Sequence, residues 1–354
     1  MNTFFHIKYI YKYKVAISAG KTAANGSLFV LSKAYKFQTH CAMKNFIILL
    51  IASLSLTCTA CSDSDSPSIP IAETILIEYI STDSQIITPT SVNGFGARLI
   101  SNTYKDGMGT ISFSSPVTAI GERAFWNCTT LQAINIPLRV RAINDSAFGG
   151  CENLEGITIP ASVMDIGDGA FAYCNNLEVF NGKFSTLDGR CLIIGRKLVA
   201  FAPDGLTTYN IPDGVIEIAG GAFEGCQSLA SVGIPTTVTD IDERAFAYCL
   251  SLDNITVPNG VTELDPSTFE GCTTLATVIL PASLKEIDAR VFAGCTALTN
   301  IYCRATTPPE IATGTFDDIA AEAKIFVPTA SLSAYQTAPN WDNYSAQIQG
   351  YEFE

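Results

Sequence analysis

Residues 120–137 read IGERAFWNCTTLQAINIP, and the pattern Phe-x-x-Cys-x-x-Leu-x-x-Ile-x-Ile-Pro in this stretch returns along the chain. The repeated cysteines fall at 128, 151 and 174, and again at 226, 249, 272 and 295, so neighbours within each group are 23 residues apart. A fixed period of about 20 to 30 residues is typical of solenoids, in which each repeat forms one rung and buries its neighbours' apolar faces. The sequence therefore predicts a solenoid of 23-residue rungs.

Two local periods coexist within each rung. Leu-x-x-Ile-x-Ile ends in period-two alternation, which is typical of a short strand whose isoleucines point inward. Ala-Phe-x-x-Cys places Phe and Cys three residues apart, which predicts a single helical turn with both side chains on one face. Val-x-x-Ile before this turn predicts a second short strand. The expected fold class is an α/β repeat solenoid with a parallel β-sheet, short helical turns and terminal caps.

The repeated aromatic and thiol positions predict the core. Phenylalanines stacked on successive rungs bury a large apolar area. Cysteines at identical positions of parallel rungs point the same way, so we expect buried unpaired thiols, with disulfides between some rungs or a metal site as alternatives. These predicted core positions are Phe125, Cys128, Phe148, Cys151, Phe171, Cys174, Phe223, Cys226, Phe246, Cys249, Phe269, Cys272, Phe292 and Cys295.

The seven copies, over about residues 117–303, resemble the BspA-like leucine-rich repeats of bacterial surface proteins. The chain departs from the commoner leucine-rich pattern because Cys stands three residues before the Leu, as Cys128 stands before Leu131, and no Asn or Cys follows the strand. The resemblance implies a right-handed parallel solenoid. It also implies adhesion, with host extracellular-matrix proteins or other cells as partners.

The N-terminal region predicts export. Residues 43–61 read MKNFIILLIASLSLTCTAC, with one Lys, an apolar run and small residues, as in a secretory signal peptide. The end of this segment resembles a bacterial lipoprotein signal, which would make Cys61 the lipidated residue, although Cys58 and Cys61 also form a CxxC pair. We expect translation to start at Met43, with a genuine basic extension as the alternative.

This interpretation divides the chain into six segments. They are an upstream extension (1–42), a signal peptide (43–60), a tether (61–70), an N-terminal cap (71–116), the repeats (117–303, with an irregular hairpin rung at about 183–206), and a degenerate repeat with a C-terminal cap (304–354).

Charge and histidine content exclude several classes of partner and of catalytic site. The net charge is −13, and removing the seven lysines of residues 1–60 leaves 14 basic against 34 acidic residues, which disfavours nucleic acid and anionic lipid as partners. Both histidines, His6 and His40, precede the signal peptide, so the exported chain has no imidazole for a Ser-His-Asp or Cys-His site or for a histidine-containing zinc site. We expect no enzyme activity, no cofactor and no metal, and membrane contact only through the lipid at Cys61.

Two surfaces stand out between the core positions. An acidic series precedes or follows the inward Ile or Leu of the short strand (Asp165, Glu217, Asp240, Glu263, Glu286, with Asp242, Asp265 and Asp288), and is either a Ca²⁺ or basic-protein site or a solvated face. The long strands instead carry small uncharged residues, on what we expect to be a concave binding face. The candidate binding residues are Asn135, Thr158, Ser231, Asn254, Thr256, Thr277, Asn300 and Tyr302.

The sequence thus predicts an exported outer-membrane lipoprotein, exposed at the cell surface, whose solenoid binds a macromolecule, with protein-mediated adhesion as the leading function. A glycan-binding component is one alternative, for which Tyr302 and Trp126 are the candidate stacking rings. A passive structural spacer is the other.

Overall fold

The computed structural model describes residues 75–353, and all of them belong to one compact unit. Residues 1–74 lie outside this part, and with them the predicted signal peptide, Cys61 and the tether. The strands, numbered in chain order, are β1 (Leu76–Ser81), β2 (Leu99–Lys105), β3 (Met108–Phe113), β4 (Ala119–Ile120), β5 (Leu131–Ile134), β6 (Ala142–Ile143), β7 (Gly156–Ile159), β8 (Asp165–Ile166), β9 (Val179–Gly182), β10 (Cys191–Ile194), β11 (Lys197–Phe201), β12 (Thr208–Asn210), β13 (Glu217–Ile218), β14 (Ser231–Gly233), β15 (Asp240–Ile241), β16 (Asn254–Thr256), β17 (Glu263–Leu264), β18 (Thr277–Leu280), β19 (Glu286–Ile287), β20 (Asn300–Cys303), β21 (Glu310–Ile311), β22 (Lys324–Pro328) and β23 (Ile348–Tyr351).

Each regular rung contributes a long and a short strand to two different sheets. The long strands form a seven-stranded parallel sheet in the order β12-β14-β16-β18-β20-β22-β23, and β7 pairs with β9 in a separate sheet. The short strands pair in the same way, for example β17-β19-β21 and β4-β6-β8. Equivalent repeat positions lie opposite each other, as Ile255 lies opposite Val278. The predicted parallel solenoid with 23-residue rungs is confirmed.

The helical turns remain single turns. The Cys128 N–H bonds back to the Phe125 carbonyl at 3.1 Å, whereas the N–H groups of Phe125 and Asn127 point to the next rung and bond the carbonyls of Ala147 and Gly149 at 2.8 Å each. Asn127 has a left-handed φ of 55°, which stops a helix after one turn. The repeats are therefore almost wholly β and turn, and the one α-helix among residues 75–353, α1 (Leu332–Thr337), lies near the C-terminus.

Phenylalanine rings and thiols fill the core between the sheets. Neighbouring rings stack in two runs, with centroids 4.7–5.6 Å apart: Phe125, Phe148 and Phe171, then Phe201, Phe223, Phe246, Phe269, Phe292 and Phe316. The repeated cysteines are free thiols; Cys128 is half-buried and the other six are buried. Several thiols donate to the carbonyl of the preceding rung's phenylalanine, as Cys272 does to Phe246 at 3.2 Å.

The irregular rung is a hairpin inserted on one side only. Strands β10 and β11 pair antiparallel, and β11 then pairs in parallel with β13 on the short-strand side. On the turn side the neighbouring rungs meet directly, because the Gly169 N–H bonds the Gly220 carbonyl at 2.8 Å and the Tyr173 N–H bonds the Glu224 carbonyl at 2.9 Å. The long interval between Cys174 and Cys226 therefore adds a hairpin without adding a turn.

Both ends of the described solenoid are covered. At the N-terminal end β1 pairs antiparallel with β3 and with β5 of the first rung, so a hairpin closes that sheet edge. At the C-terminal end α1 and a 3-10 turn (Trp341–Tyr344) lead into β23, and the buried Trp341 indole donates to the Pro309 carbonyl at 2.7 Å. Within residues 75–353 no helix has the length and apolarity needed to cross a membrane.

Candidate binding face

The outward side of the seven-stranded sheet, here termed the strand face, is built from two side-chain columns. Alternation along each strand buries the central residue, such as Ile255, and turns its two neighbours outward. Pairing in register then aligns those neighbours from rung to rung, about 4.8 Å apart. The first column is Thr208, Ser231, Asn254, Thr277, Asn300 and Lys324, and the second is Asn210, Gly233, Thr256, Ile279, Tyr302, Phe326 and Gln349.

The strand face contains no carboxylate in either column, although the chain has a net charge of −13. The acidic residues gather instead on the short-strand sheets. Glu217 lies opposite Asp240, and Glu263, Glu286 and Glu310 follow one another in register. The two sheets of each rung therefore differ sharply in electrostatic character.

The eight residues predicted for binding do not form one continuous surface. Thr158 is exposed on β7, whose sheet ends at β9, and Asn135 is half-buried beside the N-terminal hairpin, where its N–H bonds the Glu78 carbonyl at 2.9 Å. No strand pairing joins this smaller sheet to the strand face within the residues described. The other six lie together on the strand face: Ser231, Asn254, Thr256, Thr277, Asn300 and Tyr302.

An aromatic cluster that the sequence analysis missed occupies the C-terminal end of the strand face. The ring centroids of Tyr302 and Phe326 are 4.7 Å apart and nearly parallel. Tyr351 lies 5.5 Å from Tyr302 and 5.7 Å from Phe326, and it contacts Phe353 at 4.9 Å. Ile325-Phe326-Val327-Pro328 repeats the Ile-x-Ile-Pro strand ending, so aligning the degenerate copy on this ending would have placed Phe326 beside Tyr302. No repeat pattern in the sequence indicates that Tyr351 and Phe353 lie in this cluster.

The other proposed stacking ring lies elsewhere. Trp126 is half-buried on the turn side of the first full rung, where its ring covers Gly149 and the Arg123 guanidinium lies 5.8 Å from the ring centroid. It therefore does not share a surface with Tyr302.

Three members of the acidic series form a compact group within the residues described. Carboxylate oxygens of Glu263, Asp265 and Asp288 lie within 4.8 Å of one another. Burial, together with the charges of Glu263 and Asp242, raises the pKa of Asp265 to about 6. Such a group can attract a cation or a basic side chain, and equally can serve as a solvated, repulsive face.

The basic residues of the inserted hairpin are used within the molecule. Lys197 pairs with Glu217 at 2.5 Å and Asp242 at 2.8 Å, so it neutralises one end of the acidic series. The Arg196 guanidinium donates to the Gly214 carbonyl at 2.8 Å, and Arg190 donates to the Asp204 carbonyl at 2.8 Å. The hairpin is consequently a poor candidate for an independent basic surface.

Comparison with solved structures finds leucine-rich repeat proteins from bacteria. A leucine rich cell surface protein from Faecalibacterium prausnitzii is 28% identical, with 52% of this chain and 57% of that chain covered and a TM-score of 0.38. Leucine-rich repeat proteins from Eubacterium ventriosum (19% identical, 58% and 81% covered, TM-score 0.38) and Bacteroides ovatus (22%, 65% and 90%, TM-score 0.27) also match. No functionally curated protein matches significantly.

A family model described as BspA type leucine rich repeat region, in 6 copies, matches residues 79–188 and 195–320. These ranges make up more than half of the chain and include the stacked rungs that carry the Phe-x-x-Cys turns. The protein therefore belongs to the BspA-type leucine-rich repeat family.

Proposed function

We propose that this protein is an exported surface lipoprotein that adheres to host matrix or to other cells by binding a protein through its strand face. Membership of the repeat family makes it a scaffold of the surface-protein type, which is suited to protein binding in general. The adhesive role, the partner and the anchor at Cys61 are the further steps of the proposal.

The observation that carries the proposal is the uncharged strand face of a strongly acidic chain. Six consecutive strands, β12 to β22, present side chains that lack carboxylates, over a surface that extends from rung to rung. Solenoids generally bind along such extended surfaces. A docking partner would meet few acidic groups there, although the exposed Asp253 carboxylate accepts a hydrogen bond from the Asn254 side chain at 3.2 Å. The desolvation of unpaired charges is a large cost of association.

The test is binding of the purified full chain to an array of extracellular-matrix proteins. The paired change Asn254→Lys with Thr256→Lys places two charges in the middle of the strand face and should abolish binding, because both side chains are exposed. Lys285→Gln, on the acidic side, is the matched control and should bind as the unmodified chain does. Absence of binding would leave the spacer function as the better explanation, and equal binding by all three proteins would mean that the partner binds outside the strand face.

The anchor is tested separately. Cys61→Ala should move the protein from the membrane fraction to the soluble fraction of the cell envelope, because the lipid would be its attachment. Retention in the membrane fraction would contradict lipidation at this residue without affecting the strand-face proposal.

A further inference from the structure

The last two long strands before the C-terminal cap break the repeat in four places on one surface. The second column of the strand face has Asn, Gly, Thr or Ile in its earlier rungs, but Tyr302 and Phe326 in these two. The first column has Ser, Thr or Asn, but Lys324 at its end. In the other repeat rungs of the strand face, a Pro stands two residues after the second-column residue. After Tyr302 of β20 this position is Arg304 instead. The four exceptions are neighbours, which indicates a specialised site rather than drift.

The two cations of this site are not paired with carboxylates within the residues described. Within residues 75–353 only Lys197, Arg244 and Arg290 contact carboxylates, as Arg290 contacts Glu270 at 2.6 Å. Lys324 and Arg304 are exposed, and the ring of Phe353, 5.8 Å away, is the partner of the Arg304 guanidinium. What sets Lys324 and Arg304 apart is their position beside a cluster of half-buried rings and the exposed Tyr351, which presents a local site for an anionic ligand on an acidic protein.

The cations lie on opposite sides of the aromatic cluster. Lys324 is two residues before Phe326 on β22, and Arg304 stands two residues after Tyr302, directly beyond the end of β20. Residues two apart on a strand point to the same face, with Cα atoms about 6.6 Å apart, which places Lys324 beside Phe326. Arg304 is placed at the cluster by its contact with the Phe353 ring, which in turn contacts Tyr351. Tyr351, opposite Pro328, remains 42% exposed over the same cluster. A flat ligand lying on the rings would therefore meet a cation at either edge.

We propose that this cluster is a binding site for an acidic saccharide, in which the aromatic rings pack against the apolar face of a sugar ring and Lys324 or Arg304 pairs with its carboxylate. Aromatic rings with polar handles pack against apolar faces while their hydroxyls remain available for hydrogen bonds. Arg and Lys side chains make charge-assisted hydrogen bonds to carboxylates. The site goes beyond the proposed protein partner and does not depend on it.

The neighbouring polar side chains favour a saccharide over an acidic peptide. Asn300 lies beside Lys324, and Gln349 lies beside Phe326, so amide groups flank the rings. Thr277 and Asn254 extend this supply of hydroxyl and amide groups along the first column, one per rung. Such a row matches the repeated hydroxyl groups of a sugar chain, whereas an acidic peptide would use few of them.

The experiment is calorimetric titration of the full chain, in mild detergent, with pentagalacturonic acid and with hyaluronan octasaccharide. Cellopentaose is the neutral control ligand, and a poly-glutamate peptide of equal charge represents an acidic peptide. We expect binding of at least one acidic saccharide, at least about tenfold weaker binding of the two controls, and weakening with added salt because exposed charges are screened. If neither acidic saccharide binds, or if the controls bind equally well, the proposal is overturned.

Variants distinguish an effect on the binding site from an effect on the fold. Arg304→Gln with Lys324→Thr removes both cations and leaves the rings, and should weaken saccharide binding by about tenfold or more. Glu352→Gln removes an exposed carboxylate next to Tyr351 and should strengthen it. Lys285→Gln, an exposed cation elsewhere, should change nothing. Unchanged affinity in the double variant would refute the site, and the matrix-protein array would still report on the protein partner independently.

Discussion

At the residue scale, the repeated cysteine acts as a small apolar group with one useful hydrogen bond. The Phe246 carbonyl accepts the N–H of Cys249 in its own rung at 3.4 Å and the S–H of Cys272 in the next rung at 3.2 Å. Burial raises the pKa of the Cys174 thiol to about 12, so a thiol in this column keeps its proton at neutral pH. A protonated thiol can donate to the carbonyl, whereas a buried thiolate would be strongly disfavoured.

This predicts a single reactive position among the seven repeated thiols. Iodoacetamide at pH 8 should alkylate Cys128 first, on the order of tenfold faster than the rest, because Cys128 is half-buried and the other six are buried. Mass spectrometry of the tryptic peptides would measure each rate. If Cys249 or Cys272 in the native protein were labelled as fast as Cys128, the repeated thiols would be accessible to solvent and the prediction would be wrong.

At the element scale, the inserted hairpin is accommodated by a close approach of two turns. A Cβ on Gly221 would lie 2.8 Å from the Cα of Gly169, and Gly221 itself has a left-handed φ of 63°. Two glycines therefore allow the turns on either side of the hairpin to bond each other directly. Backbone atoms cannot move aside as a flexible side chain can, so this contact admits no larger residue without distortion.

Gly221→Ala should destabilise the protein by about 3 kcal/mol, since backbone strain and overpacking each cost about 1–2 kcal/mol. Gly214→Ala is the matched control: its φ is 91°, but a Cβ there would meet nothing within 4 Å, so only the strain remains. Urea unfolding followed by circular dichroism would compare the two free energies of unfolding. Equal losses would mean that the turns do not meet as described.

At the scale of the whole molecule, charge divides the two sheets. The strand face is uncharged up to Lys324, whereas carboxylates line the short-strand sheets and repel one another. Burial and the neighbouring carboxylates raise the pKa of Asp265 from 3.8 to about 6. The folded protein therefore binds this proton more tightly than the unfolded chain, and the contribution of Asp265 to stability falls as the pH rises through this range.

Asp265→Asn should accordingly stabilise the protein at pH 7.5 by on the order of 1 kcal/mol, a figure reduced for solvent screening at a partly exposed site. The gain should shrink as the pH falls through about 6 and vanish below the ordinary pKa of 3.8. Urea unfolding at pH 7.5, 5.5 and 3.5 measures it, with the exposed Asp106→Asn, in the hairpin between β2 and β3, as control. A gain that does not depend on pH would contradict the repulsion.

Only the tertiary structure decided which residues are neighbours at the irregular rung and at the C-terminal end of the sheet. Nothing in the spacing of Cys174 and Cys226 shows that Gly169 meets Gly220, because the path of an inserted hairpin depends on how it packs. Six of the eight predicted binding residues share the strand face, but the insertion leaves Asn135 and Thr158 on another surface. Tyr351 joins Tyr302 and Phe326 only because β23 extends the sheet after a helical excursion.

The sequence by itself determined the rung. Its length, its inward Ile and Leu, its Phe-x-x-Cys turn and the stacking of equivalent positions follow from contacts that repeat every 23 residues, so each copy is evidence for the others. The candidate site was decided by the tertiary structure, because Lys324, Arg304 and the aromatic rings are exceptions to the repeat. Exceptions occur once, and only the folded sheet brings them together.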